Sequence, residues 1–132
     1  MLAWKAEYSV DVSALDDQHK ELFKLLDDLN EALAKDESVD VDFALTKMHV
    51  YMLFHFSSEE HLLAKYGFPK LDLHVEEHRK FKARVEEFKR CFSENKQMLA
   101  VEIRDYLTEW FTNHILETDK EYSAFLAPKV KQ

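Results

Sequence analysis

The sequence predicts an all-α fold, an antiparallel up-down-up-down four-helix bundle with an irregular N-terminal arm and a short C-terminal tail. The chain has 132 residues, enough for one domain with a core and too few for two, so we expect residues 1–132 to form a single domain. It contains one glycine and two prolines, which leaves few residues for the turns of a β-sheet. Four stretches carry apolar residues in alternating steps of three and four, the spacing of helices packed in a bundle.

The first predicted helix begins near Ser13 or Asp16, both of which are good N-cap residues. Residues 1–14 show no sustained period, and we expect an irregular arm whose Trp4 and Tyr8 pack across the bundle. The inner face of the helix has a histidine in an otherwise apolar row. That row is Leu15, His19, Leu22, Leu26, Leu29 and Leu33.

The second predicted helix follows a polar loop at residues 35–42, in which Asp40 or Asp42 is the expected cap. It ends before Gly67, since a glycine just past the last turn followed by a proline is a common helix stop. On its inner face His55 and Glu59 stand one turn apart, and a core carboxylate is costly unless it is paired. The row is Leu45, Met48, Met52, His55, Glu59, Leu62 and Tyr66.

The third and fourth predicted helices are separated by a break at residues 93–95, and a short tail helix is expected around residues 122–126. The third has two histidines one turn apart near its N-terminal end, and the fourth has one histidine near its C-terminal end. The inner rows are Leu71, His74, His78, Phe81, Val85, Phe88 and Phe92, followed by Ile103, Leu107, Trp110 and His114.

Composition excludes several classes of partner. A net charge of −8 argues against nucleic acid, because a binder needs a basic surface, and equally against an anionic membrane surface. No apolar run reaches the roughly 20 residues of a membrane span, and the start of the chain lacks the apolar segment of a signal peptide. Cys91 is the single cysteine, which suits a reducing compartment. We therefore expect a cytoplasmic protein without membrane insertion.

In an antiparallel bundle the five inner histidines and Glu59 fall in one layer near one end. A lone histidine on an apolar face is more often an ordinary core residue, but five of them around a carboxylate are typical of a metal site. A structural zinc site needs four ligands, usually including cysteine, so this larger set favours two metals. His49 and His61 lie off the inner face, and we expect both at the surface.

Four segments carry a family resemblance. They are Asp17-Gln18-His19-Lys20, His55-Phe56-Ser57-Ser58-Glu59-Glu60, His74 with His78, and His114-Ile115 followed by Asp119. Together they resemble the hemerythrins, most closely the bacterial single-domain hemerythrins, over essentially the whole chain. All seven ligand positions of that family are present in order, which makes the match highly specific.

The resemblance implies a non-haem di-iron centre with an oxo or hydroxo bridge. His74, His78 and His114 would hold one iron, and His19 and His55 would hold the other, which keeps one coordination position open. Glu59 and Asp119 would bridge the irons. Spacing alone misses Asp119, which lies about 140° from the face of His114 on an α-helix, so we expect the chain to turn there. The resemblance also implies an apolar O₂ pocket, formed by Phe56, Trp110, Phe111 and Ile115.

The leading functional hypothesis is an O₂ carrier rather than an enzyme. It would bind O₂ reversibly for storage, delivery or sensing in the cytoplasm, with an O₂-consuming enzyme as a candidate recipient. The alternative is a di-iron oxidase, a peroxidase-type enzyme or an iron-handling protein on the same bundle. Such proteins use four carboxylates and Glu-x-x-His pairs, and no glutamate precedes any of the seven histidines by three residues. A zinc-stabilised or metal-free interaction bundle is the third hypothesis.

Overall fold

The structure is a computed structural model that describes residues 3–35, 38–94 and 96–130, with side chains described outside 36–40, 91–101 and 104. Over these ranges the chain is helical and the predicted four-helix bundle is confirmed. The first helix packs against the second and fourth, and the third packs against the same two, which closes the bundle. The bundle helices are α1 (Ser13–Ala34), α2 (Ser38–Lys65), α3 (Leu71–Glu94) and α4 (Lys96–Asn113).

The N-terminal arm packs on the bundle as predicted. A 3₁₀ turn at Ala6–Tyr8 buries Tyr8, whose ring meets that of Phe23 edge-on with 5.0 Å between centroids, and Trp4 lies 5.7 Å from Phe23. The predicted start of α1 near Ser13 is confirmed, but the predicted caps are wrong, because the N-cap residue is Val12, which offers no side-chain cap. Asp16 anchors the arm instead, by accepting hydrogen bonds from the Ser9 hydroxyl and the Val10 amide.

The predicted loop at residues 35–42 is too long, since α2 begins at Ser38 and contains both Asp40 and Asp42. Val41 is buried in the main core, so packing extends the helix into a segment whose polar composition suggested a loop. The predicted C-terminus of α2 is confirmed. Gly67 has a φ of 74°, and the Phe68 amide donates to the Leu63 carbonyl over 2.9 Å, which is a Schellman motif.

The inner rows match the prediction with a few exceptions. After Glu59 the buried position on α2 is Leu63 and not Leu62, which is half-buried together with Tyr66. Trp110 is also half-buried, at the edge of the core. Leu33 and Leu71 are half-buried, and Phe92 lies outside the residues whose side chains are described.

Two hydrophobic clusters enclose the polar layer. The larger cluster fills the body of the bundle and includes Leu22, Met52 and Phe111. The smaller cluster closes the other end and includes Leu15 and Leu63. On each of the first two helices the polar residues lie between members of the two clusters, so the histidine layer is sealed on both sides. No helix in the described part of the chain is long and apolar enough to cross a membrane.

A candidate metal centre with two halves

All seven predicted metal ligands are buried, with at most 3% of each residue exposed. They form two overlapping groups, and within each group one nitrogen or oxygen atom of every residue lies within 4.8 Å of the others. Each group adds its own histidines to two carboxylates that both groups share. The three-histidine half contains His74, His78 and His114, the two-histidine half contains His19 and His55, and the shared carboxylates are Glu59 and Asp119.

Glu59 turns one oxygen toward each half. Its Oε1 lies 3.0 Å from His78 Nε2 and also contacts His74 Nε2. Its Oε2 lies 3.4 Å from His55 Nε2 and 3.5 Å from His19 Nε2. This arrangement follows from local spacing. His55 and Glu59 share a face because they lie four residues apart on α2, and α3, which carries His74 and His78, runs antiparallel beside that helix.

Asp119 is divided between the halves in the same way, with Oδ1 2.8 Å from His114 Nε2 and Oδ2 3.2 Å from His19 Nε2. The expected turn of the chain at this point is wrong. Instead α4 continues into a π-helical segment, His114–Asp119, and then into α5 (Lys120–Leu126). A π-helix bonds residue i to i+5 rather than to i+4. The wider turn brings Asp119 onto the face of His114, where an α-helix would not place it.

The outer nitrogens of two imidazoles in the three-histidine half face carboxylates. His78 Nδ1 lies 2.9 Å from Glu60 Oε2, and His114 Nδ1 lies 2.6 Å from Glu77 Oε1. The Thr118 hydroxyl, from the π-helical segment, lies 3.0 Å from each Glu77 oxygen. These contacts fix the orientation of both rings and leave their Nε2 atoms pointing inward.

Among the described residues, the outer nitrogens of the two-histidine half have no charged partner. His55 Nδ1 lies 2.8 Å from the amide oxygen of Gln18. His19 Nδ1 is buried without a hydrogen-bond partner among the described residues. The two halves therefore differ in the charge that surrounds them as well as in the number of imidazoles.

The inner atoms fit a bound cation. Ionised carboxylates only accept hydrogen bonds, so neutral rings at His78 and His114 carry their protons on Nδ1. Their facing Nε2 atoms, 3.3 Å apart, are then both acceptors. In addition, neither oxygen of Asp119 accepts an aligned hydrogen bond, although three imidazole nitrogens lie 2.8–3.2 Å from them. Cations held in the two halves would satisfy all of these atoms.

The protein groups of the site also interact strongly with one another. Burial lowers the pKa of His19 and of His74, but the close carboxylates of Asp119 and Glu59 outweigh it and raise both pKa values to about 9. Burial likewise opposes ionisation of the two carboxylates, yet the neighbouring imidazoles hold the pKa of each below its usual range. At His55 burial prevails and lowers the pKa.

Comparison with known proteins identifies the family. Residues 10–126 match the family model of the hemerythrin HHE cation binding domain. The chain belongs to the hemerythrin family. It is 32% identical to a bacteriohemerythrin of Clostridium acetobutylicum, over 92% of this chain and 98% of that protein. It is 29% identical to a myohemerythrin of Theromyzon tessulatum, over 93% and 92% of the two chains. A crystal structure of wild-type hemerythrin superimposes with a TM-score of 0.84 at 28% identity, over 96% of this chain and 98% of that one.

Membership of this family confirms the predicted class and cofactor. Hemerythrins bind O₂ reversibly at a non-haem di-iron centre, and they are oxygen-binding carriers rather than enzymes. The buried histidine and carboxylate cluster suits such a centre. Dioxygen is therefore the ligand of this hemerythrin.

Sequence reasoning missed four polar residues around the site. Tyr122 is fully buried and donates a hydrogen bond to Glu59 Oε2 over 2.8 Å, while burial and the nearby carboxylates raise its pKa well above the usual value. Its signal was available, since Tyr122 lies one helical turn after Asp119. The other three, Gln18, Glu60 and Glu77, are each adjacent in sequence to a predicted ligand but contact a histidine of another helix.

The four residues predicted to line an O₂ pocket lie close together. Phe56 is buried and stacks on His78, with ring centroids 3.8 Å apart, and Trp110 stacks on His114 with centroids 4.3 Å apart. Phe56 and Trp110 thus lie against the three-histidine half, although the resemblance implies an open position in the other half. Phe111 and Ile115 are buried in the main core, and they directly follow Trp110 and His114 in the sequence.

The two histidines outside the site differ from each other. His61 is exposed as predicted. His49 is half-buried, which corrects the expectation of a surface position, and burial together with the nearby Lys89 lowers its pKa. Its Nε2 atom has no hydrogen-bond partner among the described residues.

Proposed function

We propose that this hemerythrin holds its two irons through the seven buried residues of the centre and binds O₂ reversibly between the polar layer and the main core. When bound, the iron pair supplies the electrons and the open coordination position that O₂ requires. The single observation that supports this assignment best is the division of Glu59 and Asp119, each of which turns one oxygen toward each half. A carboxylate in that position would hold two cations, one through each oxygen, instead of chelating one.

The donor set also favours a carrier over the enzymatic alternative. Five imidazoles and two carboxylates leave a cation pair less neutralised than the four carboxylates of ferritin-like centres do. Tyr122 donates a hydrogen bond to Glu59 and draws further charge from it. A less anionic centre has less tendency to drive bound O₂ toward cleavage, and this suits release of O₂ unchanged.

The apolar residues beside the centre have a protective role in this proposal. Phe56, Phe111 and Ile115 are each at most 1% exposed, so the core side of the site is dry. Trp110 covers the ring of His114 at the edge of a surface cavity of about 420 Å³. Excluding water and protons from this side prolongs the life of the O₂-loaded protein.

We also infer the setting in which the protein works. The lone cysteine suits the cytoplasm, and the chain acts as one domain. An O₂-consuming enzyme is the recipient that suits a carrier. A net charge of −8 favours a basic docking surface on that recipient.

The test is the visible spectrum and metal content of the purified protein. We expect two irons per chain, negligible zinc, and a colour that develops when the reduced protein meets air and disappears under vacuum. His55→Ala and Glu59→Ala should lose iron and colour, whereas the exposed-site control His61→Ala should keep both. One iron per chain, excess zinc or a colour that does not reverse would refute the proposal.

A further inference from the structure

The two halves of the centre have different partners at their outer nitrogens. In the three-histidine half, Glu60 and Glu77 face the outer nitrogens of two imidazoles at 2.9 and 2.6 Å. In the two-histidine half, the outer nitrogen of His55 faces the neutral amide of Gln18 at 2.8 Å. Both types of partner fix the ring orientation, but only the carboxylates add negative charge.

That charge is positioned to act on the metal. A carboxylate that accepts from the Nδ1–H of a metal-bound histidine makes the ring a better donor through Nε2, and loss of such a partner usually weakens metal binding about 10- to 100-fold. The side chains of Glu60 and Glu77 are 23% and 36% exposed, so water screens them only in part. Thr118 donates to both oxygens of Glu77 and holds it against the π-helical segment.

We propose that Glu60 and Glu77 are charged positioning residues that make the three-histidine half the tighter iron position, the one that fills first. This inference rests on the proposed function, because it takes the seven buried residues as iron ligands. Iron loading is then ordered. The two-histidine half receives its metal second and holds it less tightly, and it is the half in which the family resemblance puts the open position.

The experiment is an anaerobic titration of the metal-free protein with Fe²⁺, in which calorimetry measures the heat of each binding step. Wild type should bind two Fe²⁺ per chain in two separate steps. Glu60→Gln and Glu77→Gln keep an acceptor oxygen and remove the charge, so each should weaken the first step about 10-fold or more and leave the second step within about two-fold of wild type. Glu117→Gln is the matched control, since Glu117 lines the same cavity as Glu77, whereas the carboxylate on His114 Nδ1 among the described residues is that of Glu77.

Adding a negative charge to the two-histidine half is the converse test, because it should strengthen metal binding instead of weakening it. Gln18→Glu places a carboxylate against His55 and should strengthen the second step, so that the two steps approach each other. The proposal would be refuted if the first-step affinity were unchanged in both Glu60→Gln and Glu77→Gln, or if it fell equally in Glu117→Gln. An unchanged second-step affinity in Gln18→Glu would also refute it. Fewer than two Fe²⁺ in wild type would instead refute the proposed function itself.

Discussion

Phe111→Ala tests whether the apolar wall beside the centre protects it. Phe111 is 1% exposed, and its ring lies edge-on to Phe81 and Trp110 with centroid distances of 5.7 and 5.6 Å. Removing a buried phenylalanine costs about 3–5 kcal/mol, and two aromatic contacts put this variant in the upper part of that range. At about 3 °C per kcal/mol for a chain of this size, the melting temperature should fall by about 10–15 °C.

The functional consequence is separate from the loss of stability. No ligand changes in Phe111→Ala, so the variant should still bind two irons. The cavity lies one helical turn before His114, and water entering it should speed the oxidation of the O₂-loaded protein to the inactive ferric form. The assay is the decay of the visible band in air, measured well below the melting temperature of the variant.

A second buried phenylalanine provides the control. Phe88 lies in the same core, contacts Tyr106 and is farther along α3 from the histidines. Phe88→Ala should therefore lose comparable stability and keep the wild-type oxidation rate. Equal rates in Phe111→Ala and wild type would show that Phe111 does not guard the site. Equal acceleration in both variants would show that general loosening, and not the local wall, controls oxidation.

Two further predictions concern the polar groups of the site. Tyr122→Phe removes a buried hydrogen bond to a carboxylate, so we expect a loss of about 1.5–3 kcal/mol in denaturant unfolding with two irons retained; an unchanged midpoint would contradict the bond. In the metal-free protein the pKa values of His19 and His74 are about 9, against 6.5 in the unfolded chain. Protonation of these histidines therefore stabilises the fold fully below pH 6.5, and the stabilisation is lost as the pH rises through 9. Its melting temperature should therefore fall over that window while iron affinity rises, because metal binding needs neutral imidazoles; a flat melting temperature would contradict the ion pairs.

The helices and six of the seven site residues could be predicted because the information is local. Inner positions recur at steps of three and four, so a histidine or glutamate at such a step must face the core whatever the neighbouring helix contains. Antiparallel packing with short connections then brings these positions to one level of the bundle. For the same reason the sequence predicts the Gly67 stop, since glycine has no Cβ and adopts the positive φ of 74° found there without steric cost.

Local sequence does not predict the structure where two helical spacings both continue an apolar row, or where burial in the core outweighs the polar composition of a segment. After Glu59 both Leu62 and Leu63 continue the row, and only the shape of the smaller cluster selects Leu63. The start of α2 at Ser38 depends on the burial of Val41 in the main core. In both places the deciding energy comes from residues distant in sequence.

The sequence by itself therefore determined the fold class and the layer of five histidines and Glu59, and its resemblance to a family predicts a ligand role for Asp119. Tertiary structure alone decided how Asp119 reaches that layer, because the wider turn of the π-helical segment is not visible in residue spacing. It also decided the partners of the outer nitrogens. Glu60 follows Glu59 and Glu77 precedes His78 in the chain, yet each contacts a histidine of another helix. Contacts between helices are set by three-dimensional packing.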